Sequence, residues 1–294
     1  IYHIIVTETL IDFTDKIVLG TVQFGMDYGI ANVSGKPTKS EVFKILEIAW
    51  QHGIRSYDTA PSYDSEDLLG EFIKVHGLKK EANLLTKISG IKGKKNIQHA
   101  IKKNIQDSLE KLGCSIDVLF FHDPKDSLLL LKDPSFFINL LNEYPLKSLG
   151  VSVYEPAEVK LLKDCELEIA FQFPFNVLDR RFENLNMIKG RRYARSIFLQ
   201  GLLAPSKNLR SSSLKKLLEI KRYYLKILKK NGMKPLETAL SMAVYCQNID
   251  FFVLGVDSVN QLQEILKISV DKKLLKVCNR SLFSSIDKRS LDPR

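Results

Sequence analysis

Four polar side chains define the chemistry open to this sequence: Asp58, Tyr63, Lys87 and His122. A free phenol has a pKa of ~10 and is a poor acid at neutral pH. An adjacent ammonium stabilises the phenolate, so Lys87 beside Tyr63 is expected to make Tyr63 the better proton donor. Asp58 would keep Lys87 charged and in place, and His122 would hydrogen-bond and orient a substrate oxygen. Such a set can protonate a carbonyl oxygen as hydride arrives at the carbon. No side chain supplies hydride, so the reaction requires a cofactor. Each residue alone also has a structural reading: a barrel-mouth ion pair for Asp58 and Lys87, loop packing for Tyr63, and capping by Asp123 next to His122.

What brings them together is the alternation of elements. Short apolar runs predict strands at 17–20, 54–58, 83–87, 116–121, 147–151, 168–172, 193–199 and 250–254. Helical spacing of apolar residues predicts helices at 39–52, 66–76, 96–112, 136–142, 157–163, 182–188, 214–230, 235–246 and 258–268. Continuous apolar strands separated by helices indicate a parallel sheet buried on both faces. A doubly wound open sheet competes, but about eight strand–helix units fit a closed (β/α)8 TIM barrel better. The α/β chain is read as one domain over 1–294, with a hairpin in 1–16 and a C-terminal helix and tail in 271–294. In such a barrel, chemistry sits where strands end. Asp58, Lys87, His122, Ser152 and Gln172 all lie at strand C-termini, and Tyr63 lies in the loop after Asp58.

The text resembles the aldo-keto reductase superfamily. The matching segments are Leu19-Gly-Thr-Val-Gln-Phe-Gly25, Asp58-Thr-Ala-Pro-Ser-Tyr63 running on to Glu66-Asp-Leu-Leu-Gly70, and Leu85-Thr-Lys87. They continue with Asp117-Val-Leu-Phe-Phe-His122-Asp-Pro124, Leu149-Gly-Val-Ser152, Gln172-Phe-Pro-Phe-Asn176, Gly201-Leu-Leu203 and Val253-Leu-Gly-Val-Asp-Ser258 with Gln261-Leu262. The resemblance implies that Asp58, Tyr63, Lys87 and His122 form a catalytic tetrad with Tyr63 as the acid. It implies a nicotinamide cofactor extended across the barrel mouth, usually NADPH, with NADH left open. Gly20 and Thr21 would line the nicotinamide, with Asp58 beside it, and Ser152 and Gln172 would hold its amide. The loop carrying Lys207 and Arg210 would cover the pyrophosphate, and Ser258 would face the adenosine phosphate end, where a helix N-terminus favours phosphate.

Three departures from the family pattern stand out. Val153 replaces a common Asn. Arg195 stands where many members stack an aromatic ring on the nicotinamide, and its charge would oppose an oxidised, cationic ring. Gly255 and Gln261 stand near where NADPH-using members place basic residues, with Asp257 beside them. Lys207, Arg210 and Arg192 are the alternatives for holding a 2′-phosphate. Tyr28 in the first loop is a candidate for the pocket border, whereas the 198–203 and 242–244 stripes read as core.

The 294 residues carry a net charge of +10, 45% hydrophobic and 27% charged residues, which fits a folded chain. Ten of the basic residues fall between Lys207 and Lys234 against Glu219 alone. That segment reads as a solvated helix face, and no nucleic-acid fold signature accompanies it. Four cysteines without a Cys-x-x-Cys pair fit a reducing cytoplasm. The five histidines lack zinc-site spacing, and no apolar run is long enough to span a membrane. The expected partner is a small carbonyl substrate, with a sugar derivative conceivable, and no metal, nucleic acid or membrane. Two other functions fit the residues: a cofactor-binding regulatory module with little turnover, and a lyase using Lys87 as an imine-forming amine.

Overall fold

A run such as Val118-Leu119-Phe120-Phe121 has no polar face, so as a strand it must be covered on both sides. A closed barrel meets that requirement. The protein is described by a computed structural model covering residues 12–278 apart from 31, 33–34, 185–188 and 205–214. The strands are β1 (Ile17–Gly20), β2 (Ser56–Asp58), β3 (Asn83–Ile88), β4 (Val118–Phe121), β5 (Leu149–Ser152), β6 (Ile169–Pro174), β7 (Arg192–Arg195) and β8 (Phe251–Gly255). All neighbours pair in parallel, and β8 closes on β1 through Ile17↔Phe252 to Gly20↔Gly255. That closure settles the choice against an open doubly wound sheet.

The helices are α1 (Val22–Gly25), α2 (Lys39–Gln51), α3 (Glu66–Val75), α4 (Ile97–Leu112), α5 (Leu129–Lys132), α6 (Pro134–Glu143), α7 (Pro156–Lys160), α8 (Lys215–Lys230), α9 (Pro235–Tyr245), α10 (Val259–Leu266) and α11 (Lys273–Val277). Their ends follow from local chemistry. Thr38 and Glu41 form a reciprocal capping box at the start of α2. Asn96 accepts from the His99 amide at the start of α4, and Gly113 ends that helix in the left-handed region.

Side chains alternate along each strand, and this period of two divides the apolar residues into two cores. Val18, Leu85, Val118, Phe120, Ala170 and Tyr193 fill the barrel interior. Leu19, Leu84, Leu119, Phe121, Phe171 and Phe252 instead pack outward against the helices. The interior is tight at Gly150, where a methyl group would run into the Phe120 ring and the Ala170 carbonyl.

Most predicted elements form with ends shifted by a few residues, and four expectations change. β7 stops at Arg195 rather than reaching residue 199, because Ser196, Leu199 and Gln200 turn the chain with φ of 63°, 46° and 52°. Residues 181–184 form a turn where a helix was expected, and 185–188 lie outside the described residues. In place of a hairpin strand, Thr14–Lys16 is a 3-10 turn, and the rest of that expected hairpin up to residue 11 lies outside the described residues. Of the expected C-terminal helix and tail in 271–294, the described residues contain only the short α11, and 279–294 lie outside them.

Gly150→Ala is expected to destabilise the barrel by about 1–3 kcal/mol through overpacking. A lower denaturant midpoint with an unchanged slope checks this.

Candidate active site

The same period of two places the polar groups. Lys87 is two residues beyond the interior Leu85, Gln172 two beyond Ala170, Arg195 two beyond Tyr193, and His122 two beyond Phe120. Each therefore continues an inward-facing row into the C-terminal mouth of the barrel, and Asp58 ends β2 in the same layer, paired in register with Gly20.

The centre is a buried ion pair. Lys87 Nζ donates to Asp58 Oδ1 at 2.7 Å and to the Thr59 carbonyl at 2.8 Å. Gln172 Nε2 donates to the other carboxylate oxygen of Asp58 at 2.8 Å. Lys87 Nζ also lies 4.7 Å from the Tyr63 ring centroid, close enough for its charge to act on the phenol. The His122 ring meets Tyr63 edge-on, with centroids 6.1 Å apart and planes at 88°. The structure thus brings Asp58, Tyr63, Lys87 and His122 into one cluster.

Protonation follows from burial and charge. Burial alone would pull the Lys87 ammonium down, but Asp58 and then Tyr63 reverse this and hold it above its ordinary value. His122 is lowered to about 4 by burial and by the Lys87 charge, so it is neutral at physiological pH. Tyr63 overturns the expectation drawn from sequence. Burial raises its pKa, and this exceeds the opposing pull of the Lys87 ammonium, so the net shift is upward. The phenol keeps its proton, and the ammonium limits the upward shift.

A cavity of about 720 Å³ opens over this cluster. Asp58, Tyr63, His122, Gln172 and Arg195 border it, as do Gly20 with its register partner Gly255, Thr21, and the Asp257, Gln261 and Glu264 that follow β8. Thr21 contributes backbone, while its hydroxyl donates to the Asp58 carbonyl at 3.0 Å and pairs with Ser65 Oγ at 2.8 Å. Ser152 is buried at the end of β5, opposite Gln172 in register, and does not border the cavity. Ser258 caps α10 by accepting from the Gln261 amide at 3.4 Å. Arg195 borders the cavity, stacks 4.3 Å from the Tyr154 centroid and donates to the Val153 carbonyl at 3.2 Å. Arg192 begins β7 at the opposite end of the barrel, held by both carboxylate oxygens of Asp250, which removes it as a phosphate partner. Lys207 and Arg210 lie outside the described residues.

Several bordering residues were not singled out from sequence. Gln23, Asn32, Tyr154, Ser196 and Glu264 line the cavity, and so does Phe198, which also packs against the core as expected. Their signal is tertiary: Gln23 reaches the site through the short α1 turn, and Glu264 faces it nearly two helical turns beyond the Ser258 cap. Tyr28 borders the cavity as expected, and Gln200 donates to its hydroxyl at 2.8 Å, joining the first loop to the β7 loop.

The turn that carries Tyr63, Pro61–Tyr63, rests on Gly25. A methyl group on Gly25 would overlap the Tyr63 carbonyl oxygen. Gly25→Ala is therefore expected to displace Tyr63 and lower turnover by about tenfold or more, since about 1 Å of misplacement is costly. Steady-state kinetics together with a melting curve that shows retained folding check this.

Residues 16–277 match the profile of the Aldo/keto reductase family. The chain is 29% identical over 226 residues to a D-threo-aldose 1-dehydrogenase from Pseudomonas sp, covering 62% of this chain and 68% of that protein. It is 31% identical over 123 residues to an aldo-keto reductase from Mycolicibacterium paratuberculosis, covering 42% of this chain and 38% of that protein. The fold superposes on the glycerol dehydrogenase structure from Gluconobacter oxydans with a TM-score of 0.68 at 19% identity, covering 93% and 94% of the two chains. With nearly the whole barrel matched in sequence and closed in space, the chain belongs to the aldo/keto reductase family and is an NAD(P)H-dependent oxidoreductase.

Proposed function

We propose that the chain reduces an aldehyde or ketone to an alcohol with Tyr63 as the proton donor. The observation that carries this reading is the placement of the Lys87 ammonium, fixed by Asp58 and Thr59 and held 4.7 Å from the Tyr63 ring centroid.

The cleft suits an extended dinucleotide. Its volume of about 720 Å³ falls within the usual range for ligand pockets. Gln23 Oε1 is buried on its border and has no hydrogen-bond partner among the described residues, whereas buried polar atoms normally have one. A hydroxyl or amide of a bound dinucleotide would satisfy it. Gly20, the Thr21 backbone, Gln172 and Arg195 would lie against the nicotinamide end, and Gly255, Asp257 and Gln261 against the adenosine end. When bound, the nicotinamide supplies the hydride that the side chains cannot.

The protein's own residues do the rest. Neutral His122 donates a hydrogen bond to the substrate carbonyl oxygen and fixes its direction. As hydride adds to the carbonyl carbon, the C=O π electrons move to oxygen. That oxygen takes the Tyr63 proton, and the phenolate left behind is stabilised by Lys87. Asp58 keeps Lys87 charged throughout, and this protonated state also argues against an imine-forming role for Lys87.

The substrate proposed is a small polar carbonyl compound such as an aldose or a sugar derivative. Asn32, Tyr28 and Tyr154 at the cavity border supply hydrogen-bonding groups, and the Pseudomonas relative bears the name of an aldose dehydrogenase. We place the enzyme in the cytoplasm on the strength of four unpaired cysteines and, among the described residues, no helix long and apolar enough to cross a membrane.

NADPH is the cofactor that the family resemblance favours, yet the far end of the cleft is bordered by Asp257, Gln261 and Glu264, with no Lys or Arg there among the described residues. A 2′-phosphate would then have to be met by Lys207 or Arg210.

Two outcomes test this reading. Tyr63→Phe should lower the kcat for aldehyde reduction by roughly 10²–10⁴-fold while cofactor affinity stays near wild type. Full turnover in that variant would remove Tyr63 from the acid role. Replacing both Lys207 and Arg210 with Ala should weaken NADPH binding by about tenfold and leave NADH within about twofold, read as the loss of thermal stabilisation. An equal loss for the two cofactors would show that these residues do not read the 2′-phosphate.

A further inference from the structure

We infer that Arg195 makes the active site selective for the redox state of its cofactor, so that the reduced nicotinamide is held more tightly than the oxidised one. The inference rests on the proposed cofactor cleft.

It begins with the charges facing the reacting end. Lys87 and Asp58 form an ion pair at 2.7 Å and offset each other. His122 is neutral at physiological pH. Tyr63 and Tyr28 are held as phenols, both raised first by burial. Asp123, next to His122, acts on it more weakly than Lys87, Asp58 or Arg195. Arg195 is the remaining charge. Among the described residues it pairs with no carboxylate: its contacts are the Tyr154 ring at 4.3 Å and the Val153 carbonyl at 3.2 Å, both neutral. The stacking fixes the guanidinium in place without reducing its charge.

The location matters as much as the sign. Arg195 ends β7 on the same inward row as Tyr193 and borders the cavity. Its field reaches Tyr63, His122 and Tyr28, which border the same end of that cavity. A carbonyl held by Tyr63 and His122 must have the hydride-donating ring within bonding reach, so that ring lies in the field of Arg195 in any productive pose. The reduced ring is neutral and the oxidised ring carries a positive charge. A fixed guanidinium beside it, in a site partly shielded from water, penalises only the oxidised form. Asp257 and Glu264, which follow β8, also border the cleft, and their charge is left in place when Arg195 is replaced, so the change on substitution reports Arg195 alone.

The consequence is a protein that takes up reduced cofactor, transfers the hydride and releases the oxidised product readily. A tenfold affinity difference raises the potential of the bound two-electron couple by about 30 mV.

The test is equilibrium binding by calorimetry, with NADH and NAD⁺ and with NADPH and NADP⁺, on wild type and on Arg195→Gln and Arg195→Lys. The expected result is that wild type binds the reduced form about tenfold more tightly, that Gln brings the ratio to within about twofold of unity, and that Lys keeps most of it. Retention by Lys separates a charge effect from loss of the stacked side chain. Wild type binding the oxidised form as tightly as the reduced one overturns the inference without any variant, which covers the case in which Arg195→Gln does not fold. A wild-type preference that persists unchanged in Arg195→Gln also overturns it, while leaving the cofactor cleft standing. Absence of binding by all four dinucleotides overturns both the inference and the cleft.

Discussion

The structure of the site depends on one buried ion pair, Lys87 with Asp58. Both side chains are almost fully removed from water, at 1% and 6% exposure. Burying two charges costs several kcal/mol per ion unless geometry and further hydrogen bonds compensate. Here they do. Lys87 has Asp58, Thr59 and Tyr63 as partners, and Asp58 uses one carboxylate oxygen for Lys87 and the other for Gln172. Losing any one partner leaves a charge or a carboxylate oxygen unmet in a low-dielectric site. The pair is a demanding device for stability, and its return is a cation fixed against a phenol.

The surrounding barrel reads as the means of keeping that pair in register. Thr21 donates twice to the Asp58 carbonyl, through its amide at 2.9 Å and its hydroxyl at 3.0 Å. Ser65 links Thr21 to Thr59, whose carbonyl accepts from Lys87. On the outer face of β3, Thr86 donates to the buried Glu66 at 2.7 Å, and Ser108 of α4 donates to the same oxygen at 2.9 Å. Lys87 therefore faces the mouth on a strand whose neighbouring residue is tied to two helices. Gly25 lets the first loop press against the Tyr63 turn, so the phenol is seated from the outside as firmly as the cation is from within. Positional precision of this kind arises from rigid elements and satisfied second contacts rather than from the four reacting groups alone.

This division explains what the sequence made legible. Strands in a closed parallel barrel are buried on both faces, so their apolar runs stand out, and the polar residue that ends each run marks the mouth. Asp58, Lys87, His122 and Gln172 were found on that basis, and the structure gathers them. The hidden parts depend on non-local geometry. Phe198 sits in an apolar stripe, and only the left-handed backbone at Ser196, Leu199 and Gln200 turns this stretch away from strand geometry and along the cavity. Arg192 and Arg195 belong to one short strand, yet they serve opposite ends of the barrel, a distinction set by strand direction and length. The sign of the Tyr63 shift was misread because a neighbouring ammonium is visible in sequence, whereas the larger effect, loss of water, is not. Gln23 and Glu264 gave no pattern at all, since only the closure of β8 on β1 brings their elements to one cleft.

The closed barrel also separates two recognition problems along one groove. Among the described residues, the charge beside Tyr63 and His122 that has no carboxylate partner belongs to Arg195, while Asp257 and Glu264, which follow β8, are acidic. Burial raises the pKa of Asp257, as expected of a carboxyl partly withdrawn from water at a ligand-facing border. On the proposed cofactor placement, the ring's redox charge and the phosphorylation of the adenosine ribose would be met by different residues on different strands and helices. Groups that are well separated and share no partners contribute almost independently to binding. Substitutions near α10 can therefore alter the preference between phosphorylated and unphosphorylated cofactor without disturbing the proton donor, and the charge at the end of β7 can bias the redox form without altering that preference. A fold that keeps the Lys87–Asp58 pair rigid leaves both ends of the groove free to diverge.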